Sequence, residues 1–322
     1  MSLVRCALAL LAAGAPAFAA AVEAPYPVRP VRVIVPYAPG GSSDAIGRIV
    51  GQKLGEMLGQ QFVIDNRAGA ASALGREMVA KAAPDGYTLL IGDSPHTINV
   101  HVLKRVPYDP IKDFTPVTML ATAPLALVVH NGFPAKSVKE YIAAARAEPG
   151  KINYGSGGNG AITHLTGELF RVATQVDIVH VPYKSIGLAS TDVIGGQVQS
   201  AFPTVPGIIT HIRAGRVRAL AVTGLKRTGV LPDLPTFEES GVAGMNVTNW
   251  FGVFAPAGLP RPVLDRLHGA VVGAVKAPDV QAKLVNLSLD ITTTTPQAFG
   301  EHLRSELERW GKVVKAAGIK AE

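Results

Sequence analysis

The first third of the chain alternates between strand-like and helix-like apolar patterns. Val31, Val33 and Val35 recur at every second position before a Pro/Gly turn, which predicts a strand. Apolar residues then recur at helical spacing through residues 42–58, with Asp44 in the first turn and Ser42 or Ser43 as the expected cap. The same rhythm continues with a strand over 61–67, a helix over 73–86 and a strand over 87–94. This order predicts a parallel sheet with crossover helices.

The pattern changes at residues 116–130, where Pro124 separates two apolar runs. The segment is either one bent strand or a passage between two lobes. A second series of alternating helices and strands runs from 137 to 223, a strand-like run covers 249–258, and two helices are expected near 262–275 and 296–317. The fold class predicted is therefore α/β with two lobes, each a mostly parallel sheet flanked by helices. Two crossing strands would leave a ligand cleft between lobe 1 (21–122 plus 248–322) and lobe 2 (123–247).

Three turns at predicted strand ends carry candidate chemistry. We name residues 36–44 (PYAPGGSSD) the first glycine turn, 92–96 (GDSPH) the polar turn, and 155–164 (GSGGNGAITH) the second glycine turn. Both glycine turns precede a helix, where free backbone N–H groups and the helix dipole favour an anion. Neither contains Lys or Arg, which suits a small carboxylate better than a triphosphate.

The second glycine turn also contains a literal G-x-G-x-x-G. A dinucleotide site needs an acidic residue at the end of the following strand, but Asp177 precedes that strand. A Walker A loop needs a lysine after its last glycine, and Ala161 stands there instead. Neither nucleotide motif is therefore complete.

One alternative is a GDS-type esterase. Ser94 follows Gly-Asp at the end of a predicted strand, and Asp265 and His268 form a D-x-x-H near the C-terminus, so the three could make a catalytic triad. The middle G-x-N-D motif that supplies oxyanion donors is absent. The eight histidines are scattered without H-E-x-x-H, so we expect no metal site.

The N-terminal segment and the composition narrow the possible classes of protein further. Residues 1–20 are typical of a cleavable signal peptide, with Arg5, an apolar run and an A-x-A site at 17–19. The lone Cys6 precedes that site, so the secreted chain would hold no disulfide. The formal charge of +7 falls to +6 (30 basic minus 24 acidic side chains) when Arg5 is removed. The chain lacks a run of five basic residues and its aromatics are only 6%, so a nucleic-acid partner is not expected.

Longer segments carry a resemblance. RPVRVIVPYAPGGSSDAIGR, APDGYTLLIG, VPYDPIKDFTPV, KINYGSGGNGAITHLTGELF, DIVHVPYK, IRAGRVRALAVT, LPDLPTFEESG and WFGVFAPAGLP, in this order, resemble the Bug, or tripartite tricarboxylate transporter, family of periplasmic solute-binding receptors. The similarity extends from Tyr26 to the C-terminus. It implies two α/β lobes that close on a small carboxylic acid and deliver it to membrane permease subunits.

The resemblance also implies binding residues. The family's loops match here at Tyr37, Gly40, Gly41, Ser42 and Asp44 on one lobe, and at Gly158, Asn159, Gly160 and His164 on the other. The chain departs from the family pattern at three places, where it has Ala161 in place of a hydroxyl residue, Ser185 in place of glycine, and Pro203-Thr204 in place of an acidic residue. A less polar pocket follows from the last change.

The sequence thus predicts a periplasmic, monomeric receptor for a small carboxylic acid, without enzymatic activity or cofactor. A membrane permease or a signalling partner would read its closed form. The candidate ligand-binding residues are the family positions together with Asp93 and Ser94 of the polar turn, Ala161, and Phe202, which with Tyr37 is a candidate aromatic wall of the pocket. They are Tyr37, Gly40, Gly41, Ser42, Asp44, Asp93, Ser94, Gly158, Asn159, Gly160, Ala161, His164 and Phe202. For Tyr37 and Phe202 core packing is the alternative.

Overall fold

The computed structural model describes residues 26–319 and residue 321, so the predicted signal peptide lies outside the described residues. Two separate sheets organise the chain. The first has six strands in the order β11-β4-β10-β3-β1-β2, and the second has five in the order β7-β6-β8-β5-β9. The strands are β1 Val31–Val35, β2 Phe62–Asn66, β3 Thr88–Asp93, β4 Phe114–Pro124, β5 Ala126–His130, β6 Ile152–Ser156, β7 Ile178–Pro182, β8 Ser200–Ala201, β9 Val217–Val222, β10 Thr248–Pro256 and β11 Asp290–Ile291.

Ten helices flank these sheets within the described residues, and a short 3-10 turn, Ala70–Ser72, precedes the second of them. The helices are α1 Ser42–Leu58, α2 Ala73–Ala80, α3 Pro95–Val102, α4 Val138–Ala147, α5 Ile162–Thr174, α6 Ile186–Ile194, α7 Val205–Arg213, α8 Arg261–Lys276, α9 Pro278–Asn286 and α10 Pro296–Ala317. None of them combines the length and the apolar character needed to cross a membrane.

The pairing of strands confirms a two-sheet α/β architecture. Parallel pairs are confined to β2-β1-β3 in the first sheet and β7-β6-β8 in the second. The strands near the crossings, β4, β10, β5 and β9, pair antiparallel. Each sheet is therefore mixed and not mostly parallel as predicted, because the strands that carry the chain between the two sheets return in the opposite direction.

The chain crosses between the sheets twice. Leu125 alone separates β4 from β5, so the apolar segment around Pro124 is a passage between the sheets rather than one bent strand. The return runs from β9 to β10, and Thr223 ties the two crossings together: its N–H donates to the Leu125 carbonyl at 2.8 Å, and its hydroxyl accepts from the Leu125 N–H at 2.8 Å. The lobe limits given above remain a prediction.

Two helices, α3 and α10, pack against both halves of the molecule. Phe299 and Leu303 of α10 lie in the apolar core beside the first sheet, whereas Trp310 lies in the core of the second. Ile98 and Val102 of α3 also belong to the core of the second sheet. These helices therefore couple the two sheets beyond the crossing strands.

Candidate functional site

The topology brings the predicted turns to the carboxyl ends of parallel strands. The first glycine turn follows β1, residues 67–72 follow β2, and the polar turn includes the end of β3. In the second sheet the second glycine turn follows β6, beside the segment that follows β7. Ligands of open α/β sheets bind at such edges.

The first glycine turn leaves the start of α1 open. Gly41 is the N-cap and no side chain accepts a hydrogen bond there, so the expected Ser42 or Ser43 cap is wrong: both serines lie inside the helix. The N–H groups of the first turn have no intrahelical acceptor. A Cβ built on Gly40 or Gly41 would meet nothing within 4 Å, and Gly40 has a φ of +95° that favours glycine. An anion can therefore approach this backbone closely.

Asp44 holds this turn in place. Its carboxylate accepts hydrogen bonds from the Gly40 N–H and from Asn66 Nδ2, each at 3.0 Å, and forms an ion pair with Arg48. Burial opposes ionisation, but the bonds from Arg48 and Gly40 prevail and lower the pKa of Asp44. The carboxylate thus serves the loop, and its charge is balanced by Arg48.

A buried polar cluster lies beneath the first glycine turn. The Tyr37 hydroxyl donates to Asp93 Oδ1 at 2.8 Å, and Arg76 donates to the same oxygen at 2.5 Å. Arg76 also donates to the Ser72 carbonyl at 3.1 Å, in a segment where Ala70, Ala71 and Ser72 all have positive φ. Non-glycine residues held in this conformation cluster at functional sites.

Arg76 and Ser72 were not predicted from the sequence. The available signal was a charged residue within the apolar stripe of α2, because Arg76 lies between the buried Ala73 and Val79 at helical spacing. A fully buried arginine needs a counter-charge. Asp93 supplies it from a different element, which periodicity alone cannot reveal.

Ser94 is not an available nucleophile. It is fully buried, its hydroxyl donates to the Thr248 carbonyl at 3.4 Å, and it accepts from the Trp250 N–H at 3.3 Å. Asp265 accepts from Arg261 within α8, and His268 is bonded to the Thr294 carbonyl. None of these bonds joins one triad residue to another, so the described structure does not assemble the esterase triad.

The second glycine turn leaves a second helix start open. Ala161 is the N-cap of α5 and provides no side-chain acceptor. Gly158 and Gly160 have φ values of +112° and +73°. The hydroxyl that Ala161 lacks is replaced in part by Thr163, whose Oγ1 accepts from the Gly157 N–H at 2.9 Å. The turn is therefore braced from inside the helix.

His164 braces the same turn from its other side. Its Nδ1 accepts from the Gly160 N–H at 3.1 Å, and its ring stacks on His180 with the centroids 3.8 Å apart. Burial and the neighbouring imidazole lower the pKa of His180 to about 4. Both rings, the exposed Asn159 and the C-terminal segment 317–319 line an open pocket of about 360 Å³. No residue of the first glycine turn lines this pocket.

Two further candidate residues, Phe202 and Gly160, pack inside the protein. Phe202 is fully buried and packs against Phe170 and Phe237, so the structure places it in the core of the second sheet. Gly160 packs closely against α3, since a Cβ there would lie 2.5 Å from Val102 Cγ2. Across the described residues, no group of three or more His, Cys, Asp or Glu side chains is arranged to hold a metal ion.

Comparison with known proteins supplies the context. The sequence model of one protein family, the tripartite tricarboxylate transporter family receptors, matches residues 46–319 of this chain. Protein BugT of Bordetella pertussis is 34% identical over 297 residues, which cover 92% of this chain and 91% of BugT. The solved structure of R. palustris Rpa4515 with adipate superposes with a TM-score of 0.83 at 36% identity, covering 92% of this chain and 100% of that one. Periplasmic binding protein BugD superposes with a TM-score of 0.80 at 32% identity, with the same coverage.

Proposed function

The chain belongs to the tripartite tricarboxylate transporter receptor family, and from this premise we propose that it binds a small carboxylic acid between its two lobes. Members of the family and the structural neighbours are solute-binding receptors, and this chain is likewise a receptor and not an enzyme. The esterase hypothesis is accordingly wrong. The adipate bound to Rpa4515 supports a carboxylic acid as the ligand class.

The observation that carries the proposal is a pair of uncapped helix starts. α1 and α5 each begin after a glycine turn at the carboxyl end of a parallel strand, one in each sheet, and neither start has a side-chain acceptor. Each end attracts an anion by about 0.3–1 kcal/mol when exposed, and up to about 2 when partly buried. Two such ends and the serine hydroxyls hold one carboxylate without a cationic side chain.

The groups in direct contact are proposed to be the first-turn backbone N–H groups of α1, which begins at Ser42, and of α5, which begins at Ile162, with the glycine turns before them letting the carboxylate approach. Tyr37 and Asp93 form the floor on the first lobe. Hydrogen bonds support these segments without contacting the ligand: Asp44 accepts from the Gly40 N–H, Ser94 from the Trp250 N–H, and His164 from the Gly160 N–H. Closure of the second lobe over the first completes the site.

We propose that the receptor works in the periplasm, as BugD does, after removal of its signal peptide. Its partners are proposed to be the permease subunits of a tripartite transporter, or a signalling protein that reads the closed form, and it acts as a monomer.

A thermal-shift screen of small carboxylic acids tests the proposal. An acid present at 100 times its Kd adds about 2.7 kcal/mol to the free energy of unfolding. We expect a rise in Tm with at least one mono- or dicarboxylic acid and none with the methyl esters of the same acids. A rise with nucleotides and with no acid would contradict the proposal.

A further inference from the structure

Asp93 ends β3 at the edge of the first sheet that carries the glycine turn, and its two oxygens differ. Oδ1 accepts the hydrogen bonds from Tyr37 and Arg76. In the part of the chain that the structure describes, no side chain donates to Oδ2, and the one further hydrogen bond to the carboxylate comes from the backbone N–H of Asp93 itself. Oδ2 is also not among the fully enclosed polar atoms that lack a partner. A carboxylate can accept about four hydrogen bonds, so acceptor capacity is left for a group outside the protein.

The carboxylate of Asp93 is ionised. Arg76 is fully buried and a guanidinium does not deprotonate in proteins. Asp93 is the only acidic side chain within ion-pair distance of Arg76 among the described residues. Burial raises the pKa of Asp93, and the guanidinium opposes that rise. Protonated Asp93 would leave a buried cation without any counter-charge, which is the costlier arrangement.

Asp93 and the open start of α1 lie at the same edge of the first sheet, beyond the carboxyl ends of the neighbouring parallel strands β3 and β1. Tyr37 connects them: its carbonyl accepts from Asn66 Nδ2 at 3.1 Å within the first glycine turn, and its hydroxyl reaches Asp93. A ligand whose carboxylate binds at the helix start would therefore extend along the edge of the sheet that holds Asp93. A second carboxylate at that point would face a negative charge, whereas an ammonium, amine or hydroxyl group would find an acceptor.

We propose that Asp93 is a specificity-determining residue that selects carboxylic acids bearing a hydrogen-bond donor beside the carboxylate. The inference rests on the proposed function and narrows its ligand class. A charge-assisted hydrogen bond to a buried carboxylate separates the two kinds of acid by roughly 10- to 100-fold in Kd.

Calorimetric titration of the unmodified protein tests this with matched pairs. The probes are succinate and aspartate, glutarate and glutamate, and benzoate and 2-aminobenzoate, together with the tightest acid of the thermal screen and its analogue without the donor. We expect the tightest acid to carry the donor and to lose at least tenfold in affinity without it. A tightest acid that lacks a donor, or equal affinity for the two analogues, would overturn this inference alone. Absence of binding by every acid would overturn it together with the proposed function.

A variant assigns the effect to Asp93. Asp93→Asn alone would leave the buried charge of Arg76 without a counter-charge and could unfold the protein. The double variant Arg76→Met with Asp93→Asn removes both charges together and avoids this. We expect the double variant to fold and its preference for the donor-bearing acid to fall at least tenfold. Asp265→Asn removes an exposed acid of α8 that pairs with Arg261, and it should leave the preference unchanged. A folded double variant that keeps the full preference would overturn the role of Asp93.

Discussion

Ser42→Asp tests the anion site through two effects of opposite sign. Ser42 is the exposed first residue of α1, and the cap of this helix has no side-chain acceptor. A carboxylate placed there interacts favourably with the helix dipole, so the variant should be more stable by about 0.3–1 kcal/mol. The same charge occupies the position proposed for the ligand carboxylate. The variant should therefore fold better and bind worse.

The loss of affinity follows from the separation of the charges. Two like charges roughly 5 Å apart repel by about 3 kcal/mol at an effective dielectric of 20 and by about 1 kcal/mol in bulk water. The expected increase in Kd is thus on the order of 10- to 100-fold, since every 1.4 kcal/mol is a factor of ten. Raising the salt concentration should recover part of the affinity.

Calorimetry and thermal unfolding measure the two effects on the same sample. Ser137→Asp is the matched control, because Ser137 caps α4 through its side chain and the new carboxylate can cap it too. The control should keep both its Tm and its ligand affinity. Unchanged binding by a folded Ser42→Asp variant would refute the assignment of the ligand carboxylate to the start of α1.

Two other predictions concern stability. Gly160→Ala places a methyl group 2.5 Å from Val102 Cγ2 at a φ of +73°, whereas Gly215→Ala has a similar φ of +64° with open space around it. The first variant should lose roughly 1–3 kcal/mol more than the second in denaturant unfolding, and Val102→Ala should restore part of the difference; equal losses would contradict the contact. His180 has a pKa of about 4 in the folded protein against an ordinary 6.5, so as the pH falls the unfolded chain takes up this proton at a higher pH than the folded chain does. Stability should fall as the pH drops from about 6.5 to about 4, by about 1–2 kcal/mol after allowance for partial exposure, and His180→Asn should flatten that part of the curve; an identical curve would contradict the assignment.

The alternation of strands and helices was predictable because most elements bury an apolar face with a regular period. α3 escaped prediction because its buried face mixes the polar His96, Thr97 and Asn99 with the apolar Ile98 and Val102. His96 is bonded to the Pro110 carbonyl at 2.8 Å and Asn99 to the Ala71 carbonyl at 2.8 Å, contacts that only tertiary structure supplies. α9 follows α8 after a single residue, Ala277, and the sequence pattern predicts only the first of these two helices.

The candidate site was predictable in its backbone and not in its side chains. Glycines before a helix signal an open N-terminus, and both glycine turns have that geometry. The ion pair of Arg76 with Asp93 joins residues 17 positions apart in different elements, so no local pattern reveals it. Likewise, the role of Thr163 in bracing the second turn depends on the path of the chain.

The central claim is that one carboxylate is held between the starts of α1 and α5. Amide-resolved hydrogen exchange by NMR, with and without the tightest acid of the screen, measures those N–H groups directly. We predict that the amides of residues 42–44 and of residues 162–164 are both protected by the acid and not by its methyl ester. Protection of neither set, with slowing of exchange elsewhere in the chain, would contradict the account.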